Sequence, residues 1–171
     1  MKDYRIAGHI VSIDFTDSNI SETLLPNFAP FAYESQQKPA VTIRIVSDHE
    51  WEQDVQDIGT FDVGGSDYAV FRTAQGGYRL DIHDTNGHLC SRIQSNPDFS
   101  LCHVKIYEGT YTQQHYGLDN CMMLAFAYAT ATMDTLLIHS SVIRCNGNGY
   151  LMTAPSGTGK STHTYLWYTT I

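Results

Sequence analysis

Tyr150-Leu151-Met152-Thr153-Ala154-Pro155-Ser156-Gly157-Thr158-Gly159-Lys160-Ser161 is the stretch on which the reading of this chain turns. A short apolar run suited to a strand passes into a loop with glycines at 157 and 159, and Ser161 to Trp167 then opens a helix. Glycine lets the backbone curl so that successive N–H groups converge on an anion. The start of the following helix adds unpaired donors and the positive end of its dipole. Lys160 has the reach and charge for the β and γ phosphates of a nucleotide, and the Ser161 hydroxyl is a ligand type that suits Mg²⁺. The expected cofactor-binding set is therefore Ser156, Gly157, Thr158, Gly159, Lys160, Ser161 and Thr162, with Ser161 also on the metal. The implied cofactors are ATP, or another nucleoside triphosphate, and Mg²⁺. Ala154 stands where the usual pattern begins with glycine, so its backbone is expected to be extended or helical.

Upstream, Leu136 to Cys145 and Tyr150 to Met152 flank the turn signal Asn146-Gly147-Asn148-Gly149, which predicts a hairpin whose second strand feeds the loop. Before it, Leu118, Met122, Ala125, Phe126, Ala129 and Met133 form one stripe at helical spacing, and Asp119 is placed near the start of that helix, where the dipole favours negative charge. The front of the chain reads as strands. Val41, Ile43 and Ile45 alternate with polar residues, as do Tyr78, Leu80 and Ile82, and again Cys102, Val104 and Ile106. Gly64-Gly65-Ser66, Gly76-Gly77, Asn86-Gly87 and Asn96-Pro97-Asp98 supply the turns of an antiparallel meander that begins with Tyr4 to Phe15. Ser21 to Leu25 suits a short helical turn limited by Pro26 and Pro30. The fold class expected is α+β passing into α/β: an antiparallel β-rich part over residues 1–115, then a helix, a hairpin and a strand–loop–helix unit over 116–171.

Composition narrows the function. The chain has 171 residues with 42% apolar and 16% charged, an ordinary globular balance. Ten Lys and Arg against eighteen Asp and Glu give a net charge of −8 and a pI near 5.3. That balance argues against affinity built on nucleic-acid phosphates or on an anionic membrane surface. The best candidate span, Leu118 to Ile138, carries Asp119, Asn120 and Asp134 and is too interrupted to cross a bilayer. Cys90, Cys102, Cys121 and Cys145 are widely spaced, which suits reduced, mostly buried thiols and a cytoplasmic protein.

The stretch from His139 through Gly147-Asn148-Gly149 to Ser161 resembles HPr kinase/phosphorylases, in which a histidine, a strand, a Gly-x-Gly turn and a second strand lead into a loop of this type. His139 stands fifteen positions before Ala154, the spacing of that family. The Ser156-Gly157-Thr158-Gly159-Lys160 core is also similar to the loop of ATP-dependent phosphoenolpyruvate carboxykinase, a relative. The resemblance covers about residues 118 to 168, and the front part matches no familiar domain. It implies an incomplete HPr-kinase/phosphoenolpyruvate-carboxykinase-like fold. By it, the family's loop residues fall on Ser156 to Ser161, and its active-site histidine falls on His139. The other reading of His139 is a strand histidine satisfied by local hydrogen bonds. The family's later acid/base aspartate and metal-binding acids have no counterpart, because no Asp or Glu follows Asp134. A crossover unit runs ~30 residues or more, and eleven residues follow Lys160. The chain therefore reads as the front of a longer protein or as one cut short.

Three functions follow as expectations. The first is a Mg-nucleotide-binding protein of the HPr-kinase-like class, whose complete form transfers a phosphoryl group to a hydroxyl on a protein or small molecule and which is inactive as given. The second is a non-catalytic binding module with a residual loop, and the third a conventional phosphate-loop ATPase. Pairing of chains through an unfinished sheet edge would make a homodimer. Two smaller signals read as structural. His83, Asp84 and His88 surround a solvated turn rather than a metal, and Asp48-His49-Glu50-Trp51-Glu52 reads as a solvent-facing turn or helix start.

Overall fold

The computed structural model describes residues 1–155 and 157–170. The chain forms two compact units, Met1–Thr135 and Leu136–Ile171.

The first unit is one eight-stranded sheet with a helix on one face. Its strands are β1 (Lys2–Ile6), β2 (His9–Asp17), β3 (Val41–Val46), β4 (Val55–Asp62), β5 (Asp67–Thr73), β6 (Tyr78–His83), β7 (Leu89–Ser95) and β8 (Leu101–Ile106), followed by helix α1 (Tyr111–Thr130). Across the sheet the order is β1-β2-β3-β8-β7-β6-β5-β4. The turns fall where glycine and Asn-Pro-Asp place them, and β4 through β8 form the expected meander. The structure corrects the antiparallel expectation at the centre: β3 is parallel to both β2 and β8. Parallel neighbours need a crossover. Residues 18–40, with 3-10 turns at Glu22–Leu24 and Pro26–Phe31, supply one, and the meander itself supplies the other. The alternating pattern of β3 marks a strand with one buried face and does not reveal the direction of its neighbours.

One sheet face and α1 make the core. Val11, Ile13, Val41, Ile43, Ile82, Ile93 and Val104 from the sheet are fully buried against Leu118, Cys121, Met122 and Ala125 from α1. Leu24 and Leu25 close the same core from the crossover. Gly117 lets α1 approach β7 closely, since a Cβ there would lie 3.0 Å from the carbonyl oxygen of Cys90. Ser91 Oγ fastens the contact by donating to the Gly117 carbonyl at 3.1 Å. The helix begins earlier than its apolar stripe suggests. Thr110 caps it and Gln113 closes a capping box, so the first turn has no acid, and Asp119 lies well inside the helix rather than at its start. Because α1 is buried on this sheet, the compact unit runs to Thr135, beyond the change of composition near residue 115.

The opposite face is polar and carries the loop after β3. His49 stacks on His103 with ring centroids 4.2 Å apart, Arg92 lies over the Trp51 ring, and Arg79 donates to the Glu52 carbonyl at 3.0 Å. The charged run 48–52 is thus folded down onto the sheet, because its two aromatic rings find cationic and imidazole partners there. Arg92 also grips Asp81 bidentately, with both bonds at 2.6 Å. The turn at 84–88 is held by Asp84, which accepts from the backbone N–H groups of Asn86 and His88 and from Gln113 Nε2. Cys90, Cys102 and Cys121 are buried free thiols.

The second unit holds β9 (Ser141–Cys145), β10 (Asn148–Met152) and α2 (Lys160–Thr170). Asn146 and Gly147 both take positive φ, 50° and 80°, which is the two-residue turn that matches strand twist in a hairpin. The fold is therefore mixed α and β, with a large sheet and few helices. None of the described helices is long and apolar enough to cross a membrane.

Candidate functional site

β10 ends at Met152, and α2 begins at Lys160. The intervening loop turns back on itself by taking left-handed backbone at two places, Gly157 at φ 78° and Gly159 at φ 87°. A side chain at either position would meet open space, so the requirement for glycine is conformational rather than one of room. Thr158 Oγ1 donates to the Pro155 carbonyl at 2.8 Å and closes the turn from within.

Lys160 does not extend into solvent. Its ammonium donates to the carbonyls of Ala154 at 2.8 Å and Pro155 at 3.1 Å, so the charge lies back over the loop that precedes it. Two neutral acceptors fix its position without cancelling its charge, which leaves that charge for an anion. Helix α2 is anchored by Thr164, whose hydroxyl donates to the Lys160 carbonyl at 2.9 Å and contacts Met152 Sδ at 3.5 Å. The Tyr150 and Trp167 rings meet at 5.0 Å and tie the strand to the last turns of the helix.

A cavity of about 530 Å³ opens beside the loop. It is lined by His139, Ser140, Ser141, Gly157, Gly159, Lys160 and Ser161. Five of the expected site residues, His139, Gly157, Gly159, Lys160 and Ser161, are thus brought to one cavity. Thr158 faces inward to the loop, and Thr162 is an exposed residue of the first turn of α2 that does not line the cavity. Ser156 lies outside the described residues. The reading of the sequence missed Ser140 and Ser141, which line the cavity as the chain passes from His139 into β9. Their adjacency to His139 was the available signal. Among the described residues no group of three His, Cys, Asp or Glu side chains could hold a metal by itself. A Mg²⁺ here would have to share its ligands between Ser161, phosphate oxygens and water.

No protein family, curated protein or solved structure matches the chain.

Proposed function

We propose that this chain binds a Mg-nucleoside triphosphate through Ser156 to Thr162 and belongs to the HPr-kinase-like class of phosphate-loop proteins, which pass a phosphoryl group to a hydroxyl. The observation that carries this reading is the Lys160 ammonium, held by two loop carbonyls beside two left-handed glycines at the start of a helix. Loop amides and the first turn of α2 would hold the phosphates, and Lys160 would balance their charge, the main task in phosphoryl transfer. Ser161 would give the metal its one protein ligand, and the metal would neutralise β and γ oxygens. His139, on the same cavity, would hydrogen-bond a phosphate oxygen or hold the proton of an incoming hydroxyl.

Residues 136–171 contain no Asp or Glu, so no carboxylate of this segment serves as general base or magnesium ligand. Calorimetry with Mg-ATP tests the reading. Saturable heat is expected, and Lys160→Ala should weaken binding at least about tenfold, while His139→Ala should weaken it less. Absence of heat and of any thermal shift at millimolar Mg-ATP would leave the loop a structural turn.

A further inference from the structure

The central strands of the first unit frame a cavity of their own. At their carboxyl ends the three parallel strands β2, β3 and β8 send the chain in different directions. The segments after β2 and β8 pass to the α1 face: Leu24 and Leu25 enter the core there, Tyr111 Oη donates to the Thr23 carbonyl at 3.1 Å, and α1 itself follows β8. The segment after β3 passes to the opposite face, where His49 stacks on His103 and Trp51 lies under Arg92. When loops leave adjacent parallel strands toward opposite faces, a crevice is left between them, and this is where open sheets accommodate ligands. Here that crevice is a cavity of about 680 Å³, within the size range of small-molecule sites.

Its lining is mixed: Ile20, Val46, Leu89 and Ile106 give it an apolar wall, and Asn19, Ser47, His88, Lys105, Glu108 and Gln114 stand around it. Among the described residues the exposed side chains of Asn19 and Ser47 make no hydrogen bond to the protein, and neither half-buried Lys105 nor exposed Glu108 belongs to an ion pair. The Lys105 ammonium rests 5.6 Å from the Tyr107 ring centre. His88 Nε2 is engaged by the Glu108 carbonyl at 3.1 Å, which fixes the segment that carries the Glu108 carboxylate. A cavity whose lining residues include one cation and one anion, neither in an ion pair, suits neither a simple anion, which Glu108 repels, nor a metal ion, for which no three-ligand cluster exists among the described residues.

We propose that this crevice binds a small zwitterion of amino-acid to dipeptide size, its carboxylate facing Lys105 and its ammonium facing Glu108. Asn19, Ser47 and Gln114 supply hydrogen bonds that orient it.

The test uses the full chain, labelled with ¹⁵N and titrated with the standard amino acids and Gly-Gly. Propionate, propylamine and inorganic phosphate serve as single-charge controls. At least one zwitterion should shift the amides of Ser47, Lys105, Glu108 and Gln114 along a saturable curve. Lys105→Met and Glu108→Gln should each weaken that binding about tenfold or more, with the remaining spectrum unchanged. Lys160→Ala should leave it unaltered, which separates this site from the nucleotide loop. The proposal is overturned by the absence of saturable shifts from every zwitterion, by equal affinity for a single-charge control, or by unaltered binding in both crevice variants.

Discussion

The two units are built from the same kinds of element, yet they solve the problem of order differently. In Met1–Thr135, strands and helix share a core in which Ile43, Ile93, Val104 and Leu118 have no exposure. In Leu136–Ile171, none of the described residues is buried, and Leu136, Val142, Leu151, Tyr165 and Leu166 are all more than half exposed. Burial of apolar surface is the main term that offsets chain entropy. Order in the second unit therefore rests on local devices: a paired hairpin turn, two left-handed glycines, the Lys160 bonds to loop carbonyls and the Thr164 tether. Local devices shape a loop well and stabilise it weakly. An anion bound at the loop would add the missing free energy by linkage.

The sharpest way to break this contrast is amide hydrogen exchange. Amides of β3, β8 and β7 should exchange only through global unfolding, while those of β9 and β10 exchange by local opening, orders of magnitude faster. Mg-ATP should slow the second group and leave the first unchanged. Equal protection in both units would end the comparison.

Cavity formation gives the next largest effect. Leu118→Ala should destabilise the first unit by about 3 kcal/mol in urea unfolding. Val142→Ala, on the exposed strand of the second unit, should change stability by less than about 0.5 kcal/mol.

Glycine substitutions distinguish crowding from conformation. Gly117→Ala forces a methyl against the Cys90 backbone and should cost about 1–3 kcal/mol as α1 lifts from β7. Gly157→Ala meets no neighbour, so its cost is the strain of left-handed backbone, about 1 kcal/mol. It should appear as weaker nucleotide binding with no change in the melting of the first unit.

Acid should act on the first unit. Burial, and the nearby charges of His49 and Arg44, hold the His103 pKa below the ordinary imidazole range. Hydrogen bonds from Thr16, from Gln113 and the backbone of His88 and Asn86, and from Ser100 hold Asp14, Asp84 and Asp98 below the ordinary carboxylate range. Every one of these folded-state values is depressed, so the unfolded chain binds more protons and stability is lost as pH falls. The decline begins below the ordinary imidazole pKa through His103 and continues below the ordinary carboxylate range through the three aspartates. Urea midpoints against pH should show both phases, and His103→Asn should remove the first.

The smallest test concerns turns of one type in the two units. Asn146-Gly147 uses the residues that left-handed turns favour, whereas the β1–β2 turn places Ala7 at φ 49° before Gly8 at φ 88°. Ala7→Asn should stabilise the first unit by about 0.5–1 kcal/mol, read as a raised melting temperature.

Much of this was legible in the linear chain, because it depends on near neighbours. Alternation in 41–45, 78–82 and 102–106 marks strands, Asn146-Gly147 marks a hairpin, and Gly157, Gly159 and Lys160 announce the loop, since each signal is a property of a few consecutive residues. Other features lay beyond that reach. The Thr110 cap that starts α1 ahead of its apolar stripe, the parallel pairing of β3 with β2 and β8, and the folding of Trp51 onto Arg92 each join residues whose partners are chosen in three dimensions.

The sequence by itself determined which segments are strands and helices and where the glycine loop before α2 lies, because backbone preference and side-chain period act over a few residues. Tertiary structure alone decided the direction of the central strands and the crevice at their ends. Those depend on packing and closure between distant segments, which no local pattern specifies.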